Sequence, residues 1–151
     1  MDKTIAFNQD QIDHIMRVQE NVFKFCSNII KEGIRHDESK FSKVEYDAFI
    51  NSRDSLNASR DGKDEEYQKN LNSKSIQHHI NENPHHPEYW NTRKKEMPIE
   101  QVIIMFFDWY SRCQQKETSM DDFWDYNLAK LETQPKAKAV VSLLKSCVGK
   151  G

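Results

Sequence analysis

The sequence predicts an all-α fold, a single helical bundle of about six helices in one domain covering residues 1–151. Three observations carry that prediction. Glycine and proline are scarce, four of each in 151 residues. Apolar residues recur every three or four positions over long stretches, the period of one helix face. Helix-capping residues stand where those stretches begin.

Asn8 is placed to cap a first helix with apolar positions Ile12, Ile15, Val22, Cys26 and Ile29, and Gly33 is its natural stop. Ser42 and Glu45 form an S-x-x-E capping box for a second helix carrying Val44, Tyr46 and Phe49. Residues near 51–66 are polar and turn-rich and read as a loop. A third helix is expected from about Asp64 to Ile80, broken at Asn83-Pro84 because the residue before proline avoids the helical region. His85 and His86 then fall in a loop. Pro98 opens a fourth helix, with Val102, Ile103, Phe106, Trp109, Tyr110 and Cys113 on its apolar stripe. Ser119 and Asp122 start a fifth, running through Leu131. Pro135 starts a sixth, ending before Gly149.

Composition excludes several function classes. A net charge of −2 gives no strong case for nucleic-acid binding. The longest apolar run, Val102 to Phe107, is far short of the roughly 20 residues of a membrane span. The first residues have no apolar core of a signal peptide. Cys26, Cys113 and Cys147 are far apart, never in CxxC spacing, and read as reduced, mostly buried thiols of a cytoplasmic protein.

The chemistry concentrates in "HHINENPHHPEYW", which holds four of the six histidines. His14 lies within the first helix, and His36-Asp37 follow its end. Asp108 interrupts the apolar run "VIIMFFDWY", where a carboxylate is costly to bury unless paired or metal-bound. The plain alternatives are a satisfied core histidine at His14, an Asp108–Arg112 ion pair, and a solvated loop at His85-His86. Imidazoles and carboxylates together suit Mn, Fe, Zn, Ni or Co, and five or six of them could hold one or two divalent transition-metal ions.

In chain order, H…HD…H…HH…D resembles the HD-domain superfamily of metal-dependent phosphohydrolases. "RHDESKF", "HHINENPHHPEYW" and "MFFDW" look more closely like a family of small bacterial and phage HD-like proteins. The resemblance covers about residues 10–145. It implies an HD-like metal-binding domain in which His14, His36, Asp37 and Asp108 form the mononuclear core and Asp37 bridges to a second ion. That second ion would be held by His79, or by His78 in its place, with one or both of His85 and His86. The chain lacks the GYP motif of the HD-GYP branch, so a cyclic-dinucleotide substrate is not implied.

The expected activity is hydrolysis of a small phosphorylated substrate, foremost a nucleotide, by a metal-activated water. Asp37 and Lys40 are the catalytic candidates. Lys40, Asn83, Tyr89 and Trp90 are the candidates for substrate binding, the two aromatics as pocket wall. The same ligand order also suits an HD-type di-iron oxygenase, or a non-catalytic protein binding a nucleotide or host protein. A homo-oligomer is compatible with all three.

Overall fold

The computed structural model describes residues 3–58, 73–119, 121 and 127–148. Those residues form six α-helices and no strand, an all-α fold. The helices are α1 (Lys3–Arg35), α2 (Lys43–Ala58), α3 (Lys74–Glu82), α4 (Pro87–Arg93), α5 (Ile99–Lys116) and α6 (Pro135–Val148). Short 3₁₀ turns lie at Glu38–Phe41 and Ala129–Leu131. None of the described helices is long and apolar enough to cross a membrane.

The core is built on α5. Val102, Met105, Phe106, Trp109 and Cys113 are buried at the i, i+3, i+4, i+7 spacing of one helix face. Met97, Leu131, Ala137 and Val141 complete the apolar cluster, so α6 packs on that face. A different face of α5 meets the end of α1. Gln101 donates to Glu32 (3.0 Å), the Ile104 side chain lies against Gly33, and Asp108 reaches His36 and Asp37. These contacts advance together along both helices, so α5 runs beside the end of α1 in the same direction. On the other side of the site, α2 packs on α3.

Several boundaries differ from the sequence expectations. α1 starts before Asn8 and continues through Gly33 to Arg35. Gly33 stays helical, and its bare backbone faces Ile104, whose side chain a Cβ there would meet at 3.4 Å. α2 extends to Ala58, so the expected loop at 51–66 is helical in its first part, and the remainder lies outside the described residues. α3 begins at Lys74, capped by the Ser73 side chain accepting from Ile76 N, and residues 64–72 of the expected helix lie outside the described residues. The segment after His86, expected as loop, is helix α4 with Pro87 at its first turn, where the missing N–H costs nothing. Of the expected fifth helix, the described part contains the 3₁₀ turn Ala129–Leu131, and the residues around Asp122 lie outside the described residues. The thiols differ too: Cys113 is buried, but Cys26 and Cys147 are exposed.

Two adjacent phenylalanines separate core from surface. Phe106 is fully buried and Phe107 is 45 % exposed. Phe106→Ala is expected to cost about 3–5 kcal/mol from lost transfer energy and the cavity left behind. Phe107→Ala should stay within about 1 kcal/mol. Chemical denaturation of the two variants, read by circular dichroism, checks the contrast.

Candidate metal centre

The site forms where α1 ends. Asp37 adopts the left-handed conformation (φ 62°, ψ 10°) that ends the helix and turns the chain into the 3₁₀ segment. Aspartate tolerates this region better than most residues, at a cost on the order of 1 kcal/mol. The strained turn is held from outside: Asp37 N–H donates to Asn83 Oδ1 at 3.1 Å. Asn83 caps the C-terminus of α3, where its own N–H donates to His79 O (3.1 Å). Its Nδ2 donates to Ser39 Oγ (2.6 Å) and to His79 O (2.8 Å). Asn83 is buried and its amide is spent inside the protein, so it positions the Asp37 turn, and it also lines the adjoining cleft.

The imidazoles are oriented one by one. His36 Nδ1–H donates to Gly33 O (2.8 Å), which leaves Nε2 as the free lone pair. His79 is buried, and its Nδ1–H donates to Glu45 Oε2 (2.8 Å). That turns His79 Nε2 inward, 3.3 Å from Asp37 Oδ1 and 2.9 Å from His86 Nε2. His85 Nε2 lies 3.4 Å from the same Asp37 Oδ1. His85 Nε2 and Asp37 Oδ1 are buried, and neither has a hydrogen-bond partner. A carboxylate oxygen and several imidazole nitrogens crowded together in this way form the donor set of a cation site.

Two groups of three residues place one potential ligand atom each within 4.8 Å of one another: Asp37, His79 and His86, and His36, Asp37 and Asp108. Asp37 belongs to both. The buried His/Asp cluster is therefore able to hold a metal ion. Metal–ligand bonds of ~2 Å fit inside such a spread. Asp108 comes from the α1-facing side of α5, off the apolar stripe, and Arg112 one turn on donates to Gln115 instead of pairing with it.

Charge states suit the role. Burial raises the Asp37 pKa, but His79 and His85, where their Nε2 carries the proton in the metal-free site, and the Lys40 ammonium outweigh it and hold the group far below the usual carboxylate range. Lys40 Nζ is paired with Asp37 Oδ2. Burial, reinforced by the neighbouring His85 and His79 rings, pushes His86 well below its usual 6.5, so it is neutral and has a lone pair to offer.

The structure does not bring His14 to this cluster. It is exposed on α1, grouped with Asp10, Asp13 and Arg17 of the same helix, and 22 residues before His36. At 1.5 Å rise per residue that is about 33 Å, so the expected ligand role of His14 fails on helix geometry. Tyr89 and Trp90 are also not the mouth of the histidine cluster. They line a neighbouring groove that shares Glu32, Pro84 and Gln101 with the cleft beside His36 and His85. The Trp90 indole N–H donates to Pro84 O (2.5 Å) and its ring packs on the core. The Tyr89 ring lies under the Arg93 guanidinium, 3.6 Å away.

Glu45 and Ser39 were missed. Glu45 read as a capping residue, but Ser42 Oγ makes no hydrogen bond and the Glu45 carboxylate, fully buried, serves His79 and His78 (2.6 Å to Nδ1). Ser39 Oγ donates to the same carboxylate (3.1 Å). His78, the alternative to His79, is turned to Glu45 and partly exposed. The signal available in sequence was only a second carboxylate close after "HDESK", more than thirty residues from the histidines it orients.

With the cluster placed, the molecule is defined as an all-α protein carrying a buried, potentially metal-binding His/Asp centre. The chain belongs to DUF5662, a family of unknown function that matches residues 3–148. No curated protein and no solved structure matches it.

Two measurements follow. Asn83→Ala removes the anchor of the Asp37 turn and leaves buried donors unpaired, at an expected cost of about 1–3 kcal/mol, with weaker metal uptake in a titration calorimeter. The His86 shift has a definite sign: its folded pKa lies below the unfolded 6.5, so the unfolded chain binds the extra proton first. The stability owed to neutral His86 is complete above pH 6.5 and is lost as pH falls below it. Thermal melts of metal-free protein from pH 8 down to about 5 should show a declining Tm that His86→Asn flattens.

Proposed function

We propose that this protein is a metal-dependent phosphohydrolase with a dinuclear centre bridged by Asp37, acting on a small phosphorylated substrate, foremost a nucleotide. The observation that carries the reading is Asp37 itself. It is shared by two ligand triads, and its Oδ1 is buried beside the His79 and His85 nitrogens without a hydrogen-bond partner. His36, Asp37 and Asp108 would hold one ion, and His79 with His86 or His85 the other. The chain-order resemblance to HD phosphohydrolases supports the reading for His36-Asp37 and Asp108, while His14 plays no part. Exposed and buried free thiols together suit a reducing cytoplasm.

Divalent Mn, Fe, Zn, Ni or Co bound there supplies Lewis acidity toward a phosphoryl oxygen and an activated water as nucleophile. The chain provides the rest. Asp37 stays a carboxylate and His86 stays neutral, so neither has to shed a proton before ligation. Glu45, by accepting from His79 Nδ1–H, fixes the tautomer that points Nε2 inward. Lys40, about one-third exposed beside Asp37, holds a donor at the edge of the site, suited to a phosphoryl oxygen or the leaving oxygen. The adjoining cleft, about 420 Å³, is lined by Arg35, His36, Ser39, Asn83, His85 and Gln101, with the carboxylates Glu32, Glu38 and Glu82 also on its wall. That volume accommodates a small metabolite.

The test combines metal analysis with a panel of nucleotides and nitrophenyl phosphate mono- and diesters. Wild-type protein should purify with one or two transition-metal ions per chain and hydrolyse at least one ester. Asp37→Ala should lose the metal and at least 100-fold in activity, while Cys113→Ala keeps both. Metal-loaded wild type that hydrolyses none of the panel sinks the hydrolase reading, and two irons with a mixed-valent signal moves it to oxygenase chemistry.

A further inference from the structure

The first two-thirds of α1 bury nothing. Every described side chain from Thr4 to Cys26 is exposed, although this stretch is strongly amphipathic. At about 100° per residue, Ile5, Ile12, Ile15, Met16, Val22 and Phe23 fall on one stripe roughly 120° wide. Their exposures run from 51 % at Ile12 to 73 % at Phe23. Among the described residues, Thr4, Asn8 and Gln19 are the polar positions within the stripe, and none of them is charged. The charged residues Asp10, Asp13, Arg17, Glu20 and Lys24 all lie on the opposite side. A helix patterned in this way buries its apolar face against another element.

We infer that this stripe is the interface of a homodimer, covered by α1 of a second copy. Three observations select that occupant. The stripe carries no charge, so it offers nothing to an acidic or basic partner, whereas an uncharged apolar stripe is complementary to itself under twofold symmetry. Its area fits the low end of a stable interface: at these exposures each side chain offers on the order of 100 Å², so the six together offer roughly 600 Å² per partner. It is also continuous with a face already used inside the chain. α5 closes the C-terminal end of α1 at Gly33, and the uncovered remainder has the length of several helical turns. A solvent-exposed apolar patch of this size is uncommon on a monomer.

The experiment is sedimentation equilibrium of the full chain, paired with hydrogen exchange. The wild type should sediment at twice its 17.9 kDa chain mass at micromolar concentration. Amides of residues 5–26 should exchange more slowly as concentration rises. The double variant Ile15→Glu/Phe23→Glu should be monomeric with near-native helical content, and Asp13→Lys on the polar side should remain dimeric. A monomeric wild type, or a dimer whose α1 exchange does not depend on concentration, overturns the inference whether or not the double variant folds. The outcome is independent of metal content, so it stands or falls apart from the hydrolase reading.

Discussion

The rest of the site depends on one hydrogen bond, from the Asp37 amide to the Asn83 side chain. It joins residues 46 positions apart and binds the end of α1 to the end of α3. Asp37 is in a left-handed conformation that a non-glycine residue holds only when its surroundings enforce it. Asn83 is itself fixed, because its N–H continues the hydrogen-bonding of α3 and its amide group serves Ser39 and His79 O. The turn that aims the carboxylate is therefore specified by a helix cap on a different element. Loss of that cap would release the turn before it disturbed the core, since the apolar cluster lies around α5 and α6.

Around this joint, each imidazole has a separate anchor. His36 is held by a carbonyl of its own helix and His79 by a buried carboxylate, while His85 and His86 sit in the turn that leads into α4, between Pro84 and Pro87. The two prolines restrict the backbone before folding and so reduce the entropy lost in fixing these rings. Preorganisation has an electrostatic counterpart. Asp37 is held as a carboxylate beside Lys40 and the imidazoles, with its Oδ1 buried and unpartnered. A cation arriving between these groups would relieve that unpartnered oxygen.

What the sequence showed and what it hid divide along a physical line. Helices with a buried face were legible, because burial writes a 3.6-residue period into α5 and α6. The histidine pairs and the carboxylate inside "VIIMFFDWY" were legible because a polar group in the wrong surroundings is an anomaly that needs no partner to be noticed. Glu45 was hidden because its local context, three residues after a serine, has a complete local explanation, and its real partners come from α3. Trp90 was legible only in part: it lines a groove beside the site and not the histidine cluster itself, and the carbonyl that takes its N–H and the core that takes its ring are set by tertiary packing. His14 was misplaced because chain order carries no distance. A ligand role for it required α1 to break well before His36, but the expected break, Gly33, lies only three residues before His36, and α1 runs through it to Arg35.

The same unbroken helix connects the site to the exposed stripe. At 1.5 Å per residue, the 33 residues of α1 extend about 50 Å. A compact body of 151 residues has a radius of gyration of about 15 Å, hence a diameter near 40 Å. A straight helix of that length exceeds such a body by about 10 Å, roughly seven residues, while the described side chains are exposed from Thr4 to Cys26. Its C-terminal end is fixed by α5 and by the turn at Asp37, so the excess must emerge at the N-terminal end. The apolar stripe continues there without weakening, with Ile5 and Ile12 in line with Phe23. A side-chain pattern kept beyond the point where the chain can satisfy it implies a surface supplied by another molecule. The helix that leads to His36 and Asp37 is then also the helix whose exposed stripe a second copy would cover.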